Sequence, residues 1–462
     1  MNKLAPSLQA SVANIFDGAT LAVGGFGSSG NPYSLVDAVA AQGAKRLTAA
    51  CNTVTQVWPW VKNGQVAKVI SGFTSYPGRA EIGATIQSQV AAGSLTLETT
   101  PHGMLEERLR SGGMGIGAFY TEIGVGTDVE RGKEKRLING REHILETALH
   151  ADFALIKAWK ADRWGNAVCR LAAGNRNITM AMSAKTTIVE AEEIVDLGQL
   201  DPNRIDIPGA FVATVVQAPR VVRWGKRSST RTVAAQTGME VGRLGLPREL
   251  IAMRAAAELK DGMYVNLGFG LPTAISNYLP PGLEIVLHSE QGILGYGPVV
   301  QDEAAWDQDL VNASGEPVTL VPGAAFFDLA TSLGMVRGGR IDLTFLGAYQ
   351  VSQRGDLANW QLPGASGGAI GGAMELAFGA KRLIVTMEHT DSKGRPKILR
   401  QCSYPLTARG VVDRIITNLA VIDVTPDGLL LVELAPGVTP EQVQQHTEPP
   451  LRISPHLATM EL

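Results

Sequence analysis

Two stretches decide the fold: DGATLAVGGFGSSGNPYSLVDAVA at Asp17–Ala40 and DGMYVNLGFGLPTAISNYLP at Asp261–Pro280. Each contains a DG turn, a short β-prone run, a glycine loop with the letters GFG, a proline and a helix-like stretch. The two stretches lie about half a chain length apart. This repetition predicts the α/β class, with two related open α/β domains whose sheets are mainly parallel.

The segment between the two halves is polar, rich in turn-forming residues and weakly patterned. We therefore predict a first domain at 1–219, a linker at 220–247 and a second domain at 248–462. We interpret the linker cations as a solvated connection rather than an anion-contacting arm, because Trp224 is the one aromatic residue among them. These cations are Arg220, Arg223, Lys226, Arg227 and Arg231.

Apolar runs alternate with helix-like stretches in both halves, which is typical of a parallel or mixed sheet. In the first half, the predicted strands are KRLTAACN, AKVISGF and GSLTLETTP, and the predicted helices are SLVDAVAAQ, AEIGATIQSQVA and LEERLRSG. In the second half, the predicted strands are LEIVLHS, DLTFLGAY, KRLIVTMEH and LLLVELA, and VVDRIITN at 411–418 is predicted to be a short helix.

The composition excludes several classes of function. The chain has 462 residues, of which 45% are hydrophobic, and its net charge of -3 gives no nucleic-acid footprint. No apolar run approaches the roughly 20 residues that cross a bilayer, and the N-terminal residues resemble no signal or transit peptide. The three cysteines and seven histidines are scattered. We expect a cytoplasmic protein without disulfides, membrane contact or a metal site.

The stretch HSEQGILGYGP at His288–Pro298 places a carboxylate, Glu290, between an apolar run and a glycine-rich segment. A strand that delivers an acid into such a loop lets a large ligand approach the backbone closely. The carboxylate can then attack a carbonyl if loop amides stabilise the oxyanion. The alternative is a solvated glutamate at the end of a strand.

The first glycine loop, Gly25–Gly30, has the form of the dinucleotide motif G-x-G-x-x-G. The next strand should then end in an acid that binds ribose, but it ends in Asn52 and Thr53. A nicotinamide cofactor is therefore disfavoured. What remains is a loop with exposed amides near a helix N-terminus, where Gly27 and Gly30 suit a carboxylate or a phosphate.

Both halves resemble the family I coenzyme A transferases, the 3-oxoacid CoA-transferase group. The first half resembles their α subunit in GGFGSSGNP, ERLRSGGMGIGAFYTEIGVGT and HADFALIKAWKADRWGNAV. The second half resembles their β subunit in ELKDGMYVNLGFGLPT, HSEQGILGYGP, GDLANW and GGAMEL. Together these long matches cover nearly the whole chain, which looks like a fused α–β polypeptide.

The resemblance implies that Glu290 is the nucleophile of an S-E-x-G motif. The implied reaction is a ping-pong exchange that passes through an acyl-glutamyl anhydride and a glutamyl-CoA thioester. No tightly bound cofactor or metal is implied, because coenzyme A arrives as part of the substrates. The resemblance also implies an active site between the two halves and a homodimer or a higher homo-oligomer.

Other family positions carry over to this chain with some differences. An amide of the G-G-A-M segment points to Gly371 or Gly372 as an oxyanion donor. His102 stands where relatives often have a glutamine that helps hold the reacting carbonyl, so the resemblance implies a catalytic His102 that donates an N–H; the alternative is a loop histidine with a capping role. Cys51-Asn52-Thr53 replaces S-N-N, and Gln291 replaces asparagine. The lysine that many relatives have near 311–315 is missing, and these differences bear on the choice of acids. The predicted CoA-contacting residues are Asn266, Gly268, Gly270, Gly27, Gly30 and Asn52.

We therefore expect a CoA-transferase that moves CoA from an acyl-CoA, with succinyl-CoA and acetyl-CoA as candidate donors, to a carboxylic or 3-oxo acid. One alternative is an acyl-CoA hydrolase that uses the same glutamate and releases the intermediate to water. Another is a non-catalytic acyl-CoA-binding protein built on the same fold. The transferase and the hydrolase differ in whether CoA release needs an acceptor acid.

Overall fold

The computed structural model describes residues 1–75, 80–221 and 244–461. Residues 222–243, which make up most of the predicted linker, lie outside the described residues. The domain boundaries and the role of the linker therefore stay predictions. Arg220 is described, and its partly exposed side chain forms ion pairs with Asp307 and Asp309 of the second half, so it is not a freely solvated cation.

The first half contains strands that lie in one large sheet and one small sheet. The strands are β1 (Thr20–Val23), β2 (Leu47–Thr53), β3 (Val66–Phe73), β4 (Thr96–Thr99), β5 (Ala118–Thr121), β6 (Lys135–Ile138), β7 (Arg141–Thr147), β8 (Ala151–Asp162), β9 (Ala167–Val168), β10 (Ala184–Val195) and β11 (Val212–Gln217). The helices are α1 (Leu8–Val12), α2 (Tyr33–Gln42), α3 (Trp58–Lys62), α4 (Ala80–Ala91), α5 (His102–Gly113) and α6 (Asn177–Ser183).

The large sheet of the first half has the order β11-β10-β8-β1-β2-β3-β4, and every neighbouring pair in that order is parallel. Consecutive side chains enter different cores, since Leu21 packs in one cluster and Ala22 in another. Burial on both faces explains why these strands are nearly continuous apolar runs. Strands β5, β7 and β6 form the small antiparallel sheet.

The second half follows a similar plan with added antiparallel strands. Its strands are β12 (Tyr264–Leu267), β13 (Val286–Ser289), β14 (Ile293–Val299), β15 (Val318–Phe326), β16 (Leu343–Leu346), β17 (Gln350–Ser352), β18 (Leu357–Ala358), β19 (Leu383–Met387), β20 (Ile398–Leu399), β21 (Arg414–Thr417), β22 (Ala420–Thr425), β23 (Gly428–Leu434) and β24 (Leu451–Thr459). Its helices are α7 (Arg248–Ala256), α8 (Leu329–Arg337), α9 (Ala373–Gly379) and α10 (Pro440–Gln445).

The large sheet of the second half has the order β15-β14-β13-β12-β16-β19-β21-β22-β23-β24. The central pairs from β13 to β21 are parallel, and antiparallel pairs flank them. Strands β18, β17 and β20 form a small sheet of their own. The prediction of two α/β halves with mainly parallel sheets is confirmed.

One predicted element is wrong. The sequence predicts a helix for VVDRIITN at 411–418, but Arg414–Thr417 is strand β21, which pairs with β19 on one side and β22 on the other. Ile415 and Ile416 are both fully buried. Consecutive β-branched residues that point to opposite faces fit a strand covered on both sides, and the short run carries no helical periodicity.

The two halves meet near the carboxyl ends of their parallel strands. Phe73, the last residue of β3, forms an antiparallel bridge with Ala369 of the second half. Ala172 of the first half also packs in the main core of the second half. Within the described ranges, the molecule has no helix that is both long enough and apolar enough to span a membrane.

Candidate active site

Glu290 and His102 come together from different halves of the chain. Glu290 directly follows β13, and His102 is the first residue of α5. The His102 Nδ1 atom lies 3.0 Å from the Glu290 Oε1 atom. The imidazole is fully buried, whereas 13% of the glutamate side chain is exposed. The carboxylate is therefore held by the buried ring of His102 on one side, and a ligand can reach it from the solvent side.

Asn52 decides which ring nitrogen of His102 carries the proton. Its Nδ2 atom lies 3.0 Å from His102 Nε2, and its Oδ1 atom accepts the Gly27 amide at 3.1 Å. Since the Asn52 oxygen is engaged with an amide, its NH2 group faces the ring and donates to Nε2. Nδ1 then carries the hydrogen and donates it to Glu290. Burial lowers the pKa of His102, which keeps the ring neutral.

The imidazole is fixed by its neighbours on several sides. The rings of Phe26 and Phe73 contact it edge to face, with centroids 5.0 Å and 5.1 Å from the imidazole centroid. Gly72 completes this wall, since a Cβ atom there would lie 2.2 Å from the ring. The glycine before Phe73 in the predicted strand AKVISGF is a signal of this close approach, but its meaning needs the fold.

Gly371 and Gly372, the glycines of the G-G-A-M segment, lie against His102 and Glu290. The Gly371 carbonyl accepts the His102 amide at 2.8 Å, while the Gly371 amide donates to the Gly72 carbonyl at 3.2 Å. A Cβ atom on Gly372 would lie 2.0 Å from Glu290 Oε2. The two glycines therefore shape the space around the carboxylate, and their role as oxyanion donors stays a prediction.

Asn266 lies against the end of the strand that leads to Glu290. It is 2% exposed, and its Nδ2 atom lies 3.0 Å from His288 Nδ1 and 3.2 Å from the His288 carbonyl oxygen. The other ring nitrogen of His288 lies 2.8 Å from Ser332 Oγ, and burial lowers the pKa of His288 to about 4. Asn266 thus fixes the strand two residues before Glu290. Its predicted contact with CoA is untested, and this burial does not favour it.

The second glycine loop is exposed at its tip. Gly268 is buried, and a Cβ atom there would lie 2.8 Å from the Phe345 carbonyl oxygen. Gly270 is exposed, has a φ of 88° and donates its amide to Ser314 Oγ at 3.1 Å. Between them, the Phe269 side chain is 70% exposed. The tip of this loop therefore presents Phe269 and Gly270 to solvent.

The first glycine loop binds a carboxylate of the chain itself. The Gly30 amide donates to Asp309 Oδ1 at 3.1 Å, and the Ser29 hydroxyl lies 3.3 Å from the same oxygen. Asp309 also forms ion pairs with Arg170 and Arg220. The loop therefore suits an anion as predicted, but the anion comes from the second half. The predicted CoA contacts of Gly27 and Gly30 stay untested, and both amides are already engaged.

Two further features were missed from the sequence. Asp309 carried no signal on its own, because its partners come from distant segments. Glu375 of the GGAMEL segment is fully buried and accepts a backbone amide of α5. A cavity of about 230 Å³ also lies beside α5, lined by Met104, Arg110 and Arg337 among others. Glu290 does not line this cavity.

The described parts of the chain hold no cluster of three or more His, Cys, Asp or Glu side chains able to bind a metal ion. That finding leaves the predicted absence of a cofactor untested. Cys51, on β2 beside Asn52, is fully buried, and burial raises the pKa of its thiol to about 12. A thiol in that state is unreactive, so Cys51 is not a candidate nucleophile, and the nucleophile role of Glu290 stays a prediction.

Comparisons with known proteins bear on this geometry. A sequence model of the coenzyme A transferase family matches residues 6–218 and 248–446. Succinyl-CoA:3-ketoacid coenzyme A transferase 2A, mitochondrial, of Rattus norvegicus is 41% identical over 97% of this chain and 89% of its own length. One subunit of the succinyl-CoA:3-ketoacid coenzyme A transferase of Helicobacter pylori is 51% identical over 44% of this chain and 96% of its own length.

A solved structure shares the whole fold. An acyl-CoA transferase of Escherichia coli O157:H7, described as a thioester complex with CoA, superposes with a TM-score of 0.79 at 22% identity. The match covers 100% of this chain and 95% of that chain. The family resemblance stated from the sequence is confirmed by the family match and by the rat relative. The chain belongs to the coenzyme A transferase family, and it is a CoA-transferase.

Proposed function

We propose that the enzyme moves CoA from succinyl-CoA to a 3-oxo acid through a covalent link to Glu290. The names of the rat and bacterial relatives support this pair of substrates. The observation that carries the proposal is the bond from the neutral His102 ring to the partly exposed Glu290 carboxylate. A carboxylate held in one orientation between two halves suits nucleophilic attack on a thioester.

In the first stage, Glu290 attacks the thioester carbonyl of the donor. The C–S bond breaks, the CoA thiolate leaves, and an acyl-glutamyl anhydride forms. The thiolate then attacks the glutamyl carbonyl carbon, which releases the donor acid as a carboxylate and leaves CoA as a thioester on Glu290. An acceptor acid reverses these steps. Contacts to the long CoA chain supply the binding energy that positions this weak nucleophile.

The two carboxylate oxygens of Glu290 have separate roles in this scheme. Oε2, next to Gly372, makes the bond to the donor carbonyl. Oε1 stays with His102 and becomes the carbonyl oxygen of the anhydride. When the thiolate attacks, negative charge develops on Oε1, and the His102 N–H already points at it. The Gly372 amide is the second donor that we propose, because the Gly371 amide is already bonded to Gly72.

We further propose that CoA enters beside the second glycine loop, since Phe269 and Gly270 are its exposed residues. Three of the predicted CoA contacts then position other groups and do not touch the ligand. Asn52 positions His102, Asn266 positions His288, and Gly268 lets the strand ends approach each other. A homodimer or higher homo-oligomer and a cytoplasmic location also remain proposals. The rat relative carries the word mitochondrial in its name.

Initial-rate kinetics test the proposal. With succinyl-CoA and acetoacetate varied together, a ping-pong mechanism gives parallel double-reciprocal lines, and CoA release without an acceptor stays slow. Intersecting lines would contradict the covalent mechanism. Rapid CoA release without an acid would instead support the hydrolase, which the partial exposure of Glu290 makes worth measuring. A panel of other acyl-CoA donors and acids identifies the preferred pair.

A further inference from the structure

Glu375 is a buried carboxyl group that the proposed mechanism does not use. It lies on α9 of the second half, and its Oε1 atom accepts the backbone amide of Met104 at 2.9 Å. Met104 is the third residue of α5, the helix that begins with His102. Pro101, which precedes this helix, makes no side-chain capping bond. The catalytic helix is therefore capped from the other half of the molecule.

The contact between Glu375 and α5 is close. A Cβ atom on Gly103 would lie 2.7 Å from Glu375 Oε1, so the residue after His102 has no room for a side chain. The His102 amide is also held from the second half, by the Gly371 carbonyl. Two of the first three amides of α5 thus bond to the segment Gly371–Glu375. The orientation of His102 depends on that segment.

The charges around Glu375 come from three elements. The Arg337 guanidinium on α8 lowers the pKa of the Glu375 carboxyl group, whereas the Glu290 carboxylate after β13 raises it. The α5 side contributes the Met104 amide and the neutral His102 ring. Burial is the largest effect and raises the pKa of Glu375 to about 7. The other oxygen, Oε2, is buried without a hydrogen-bond partner among the described residues.

We propose that Glu375 is a positioning residue for the transfer reaction, which holds the His102 helix so that the imidazole N–H points at Glu290. The inference rests on the proposed role of Glu290. It also predicts a coupling of charges, because conversion of Glu290 to a neutral thioester removes a nearby negative charge. Ionised Glu375 is then favoured, and its bond to the Met104 amide becomes stronger.

The first half offers a matched control. Glu190 on β10 is also fully buried, and its Oε2 atom accepts the Leu35 amide at 2.8 Å. Leu35 is the third residue of α2, which likewise follows a proline without a capping side chain. Burial raises the pKa of Glu190 to about 7 as well. The same bond therefore occurs twice, and only one copy lies on the helix of His102.

The experiment compares Glu375→Ala with Glu190→Ala in the full chain. The rate of covalent CoA attachment to Glu290 is measured in single turnovers with succinyl-CoA. We expect Glu375→Ala to slow attachment by about 10- to 100-fold with an unchanged KM for succinyl-CoA, because the reacting groups are misplaced. Glu190→Ala lowers the melting temperature and leaves the rate per folded molecule unchanged. Equal rates in the two variants would overturn the proposal.

A second variant keeps the question decidable if Glu375→Ala does not fold. Glu375→Gln retains an oxygen that accepts the Met104 amide but cannot ionise. We expect its rate to stay within about threefold of the wild type. In the wild type, the equilibrium amount of adduct rises between about pH 6 and 8 as Glu375 releases its proton, and this rise is missing in Glu375→Gln. The same pH dependence in both proteins would contradict the coupling.

These outcomes separate the inference from the proposed function. If the wild type forms no adduct on Glu290, the proposed function fails, and the positioning role fails with it. If the wild type forms the adduct and Glu375→Ala forms it equally fast, the proposed function stands and the positioning role alone is overturned.

Discussion

The ends of strands β2 and β13 are corresponding regions of the two halves. In the first half, Thr20 of β1 pairs with Thr48, and Asn52 lies four residues further along. In the second half, Tyr264 of β12 pairs with Val286, and Glu290 again lies four residues further along. Asn52 and Glu290 therefore occupy matching positions, and both contact the ring of His102, one at each nitrogen.

The difference between these two positions gives the site its direction. The amide of Asn52 donates a hydrogen to the ring, and the carboxylate of Glu290 accepts one from it. A carboxylate at both positions would not fix the tautomer. The two glycine loops also differ. The first binds the Asp309 carboxylate, and the second exposes the Phe269 ring to solvent. In the proposed mechanism, the first copy of the repeated segment positions His102, and the second copy carries the nucleophile Glu290.

The largest effect is expected for Glu290→Gln. An amide in place of the carboxylate cannot form the anhydride, so transfer should fall by at least about 10⁴-fold. Initial rates with succinyl-CoA and acetoacetate measure this loss. Glu303→Gln, at an exposed position, is the control and should keep full activity. Substantial transfer by Glu290→Gln would mean that the end of β13 does not supply the nucleophile.

Gly372→Ala tests the space around the carboxylate. The new methyl group would lie 2.0 Å from Glu290 Oε2, so the carboxylate must leave its present position beside His102 Nδ1. We expect transfer to fall by about 100-fold. Gly334→Ala, on α8, is the control, because a Cβ atom there meets nothing within 4 Å. Equal activity in the two variants would show that the carboxylate tolerates displacement.

Asp309→Ala tests whether the first glycine loop is structural. The substitution removes the partner of the Gly30 amide and one of the two carboxylates that Arg170 and Arg220 share, while Asp307 remains bound to both cations. We expect a loss of about 2–3 kcal/mol in the free energy of unfolding, lower than for a fully buried pair because both arginines are partly exposed. Denaturant unfolding measures it. A large rise in the KM for succinyl-CoA at unchanged stability would instead point to CoA binding at this loop.

Asn52→Asp makes the two strand ends alike and should have the smallest effect. The new carboxylate can still accept the Gly27 amide but can no longer donate to His102 Nε2. Two flanking carboxylates raise the pKa of His102, so the ring becomes positively charged at a higher pH than in the wild type. We expect a loss of about 10-fold near pH 7, with partial recovery as the pH rises and the ring loses its proton. A flat ratio to the wild type across that range would contradict the tautomer assignment.

Much of the fold could be predicted from the sequence, because each half has a strand, a glycine loop and a helical segment in succession. That segment is α2 in the first half and a 3-10 helix, Leu271–Asn277, in the second. Most of the strands that follow are apolar enough to be recognised. The prediction of a helix around Ile415 was wrong, because the sequence of a short buried run does not distinguish a helix from a strand. Glu290 could be proposed as the nucleophile from its motif. The tautomer of His102, the bond from Gly30 to Asp309 and the bond from Met104 to Glu375 could not, because each depends on segments that only folding brings together.

The central claim is that CoA becomes attached to Glu290 during transfer. The most direct measurement incubates the enzyme with succinyl-CoA and no acceptor, digests it, and determines the mass of the peptide that contains Glu290. We predict a gain equal to CoA minus one water, lost again when acetoacetate is added. An unmodified Glu290 peptide in a preparation that transfers CoA at its normal rate would contradict the account.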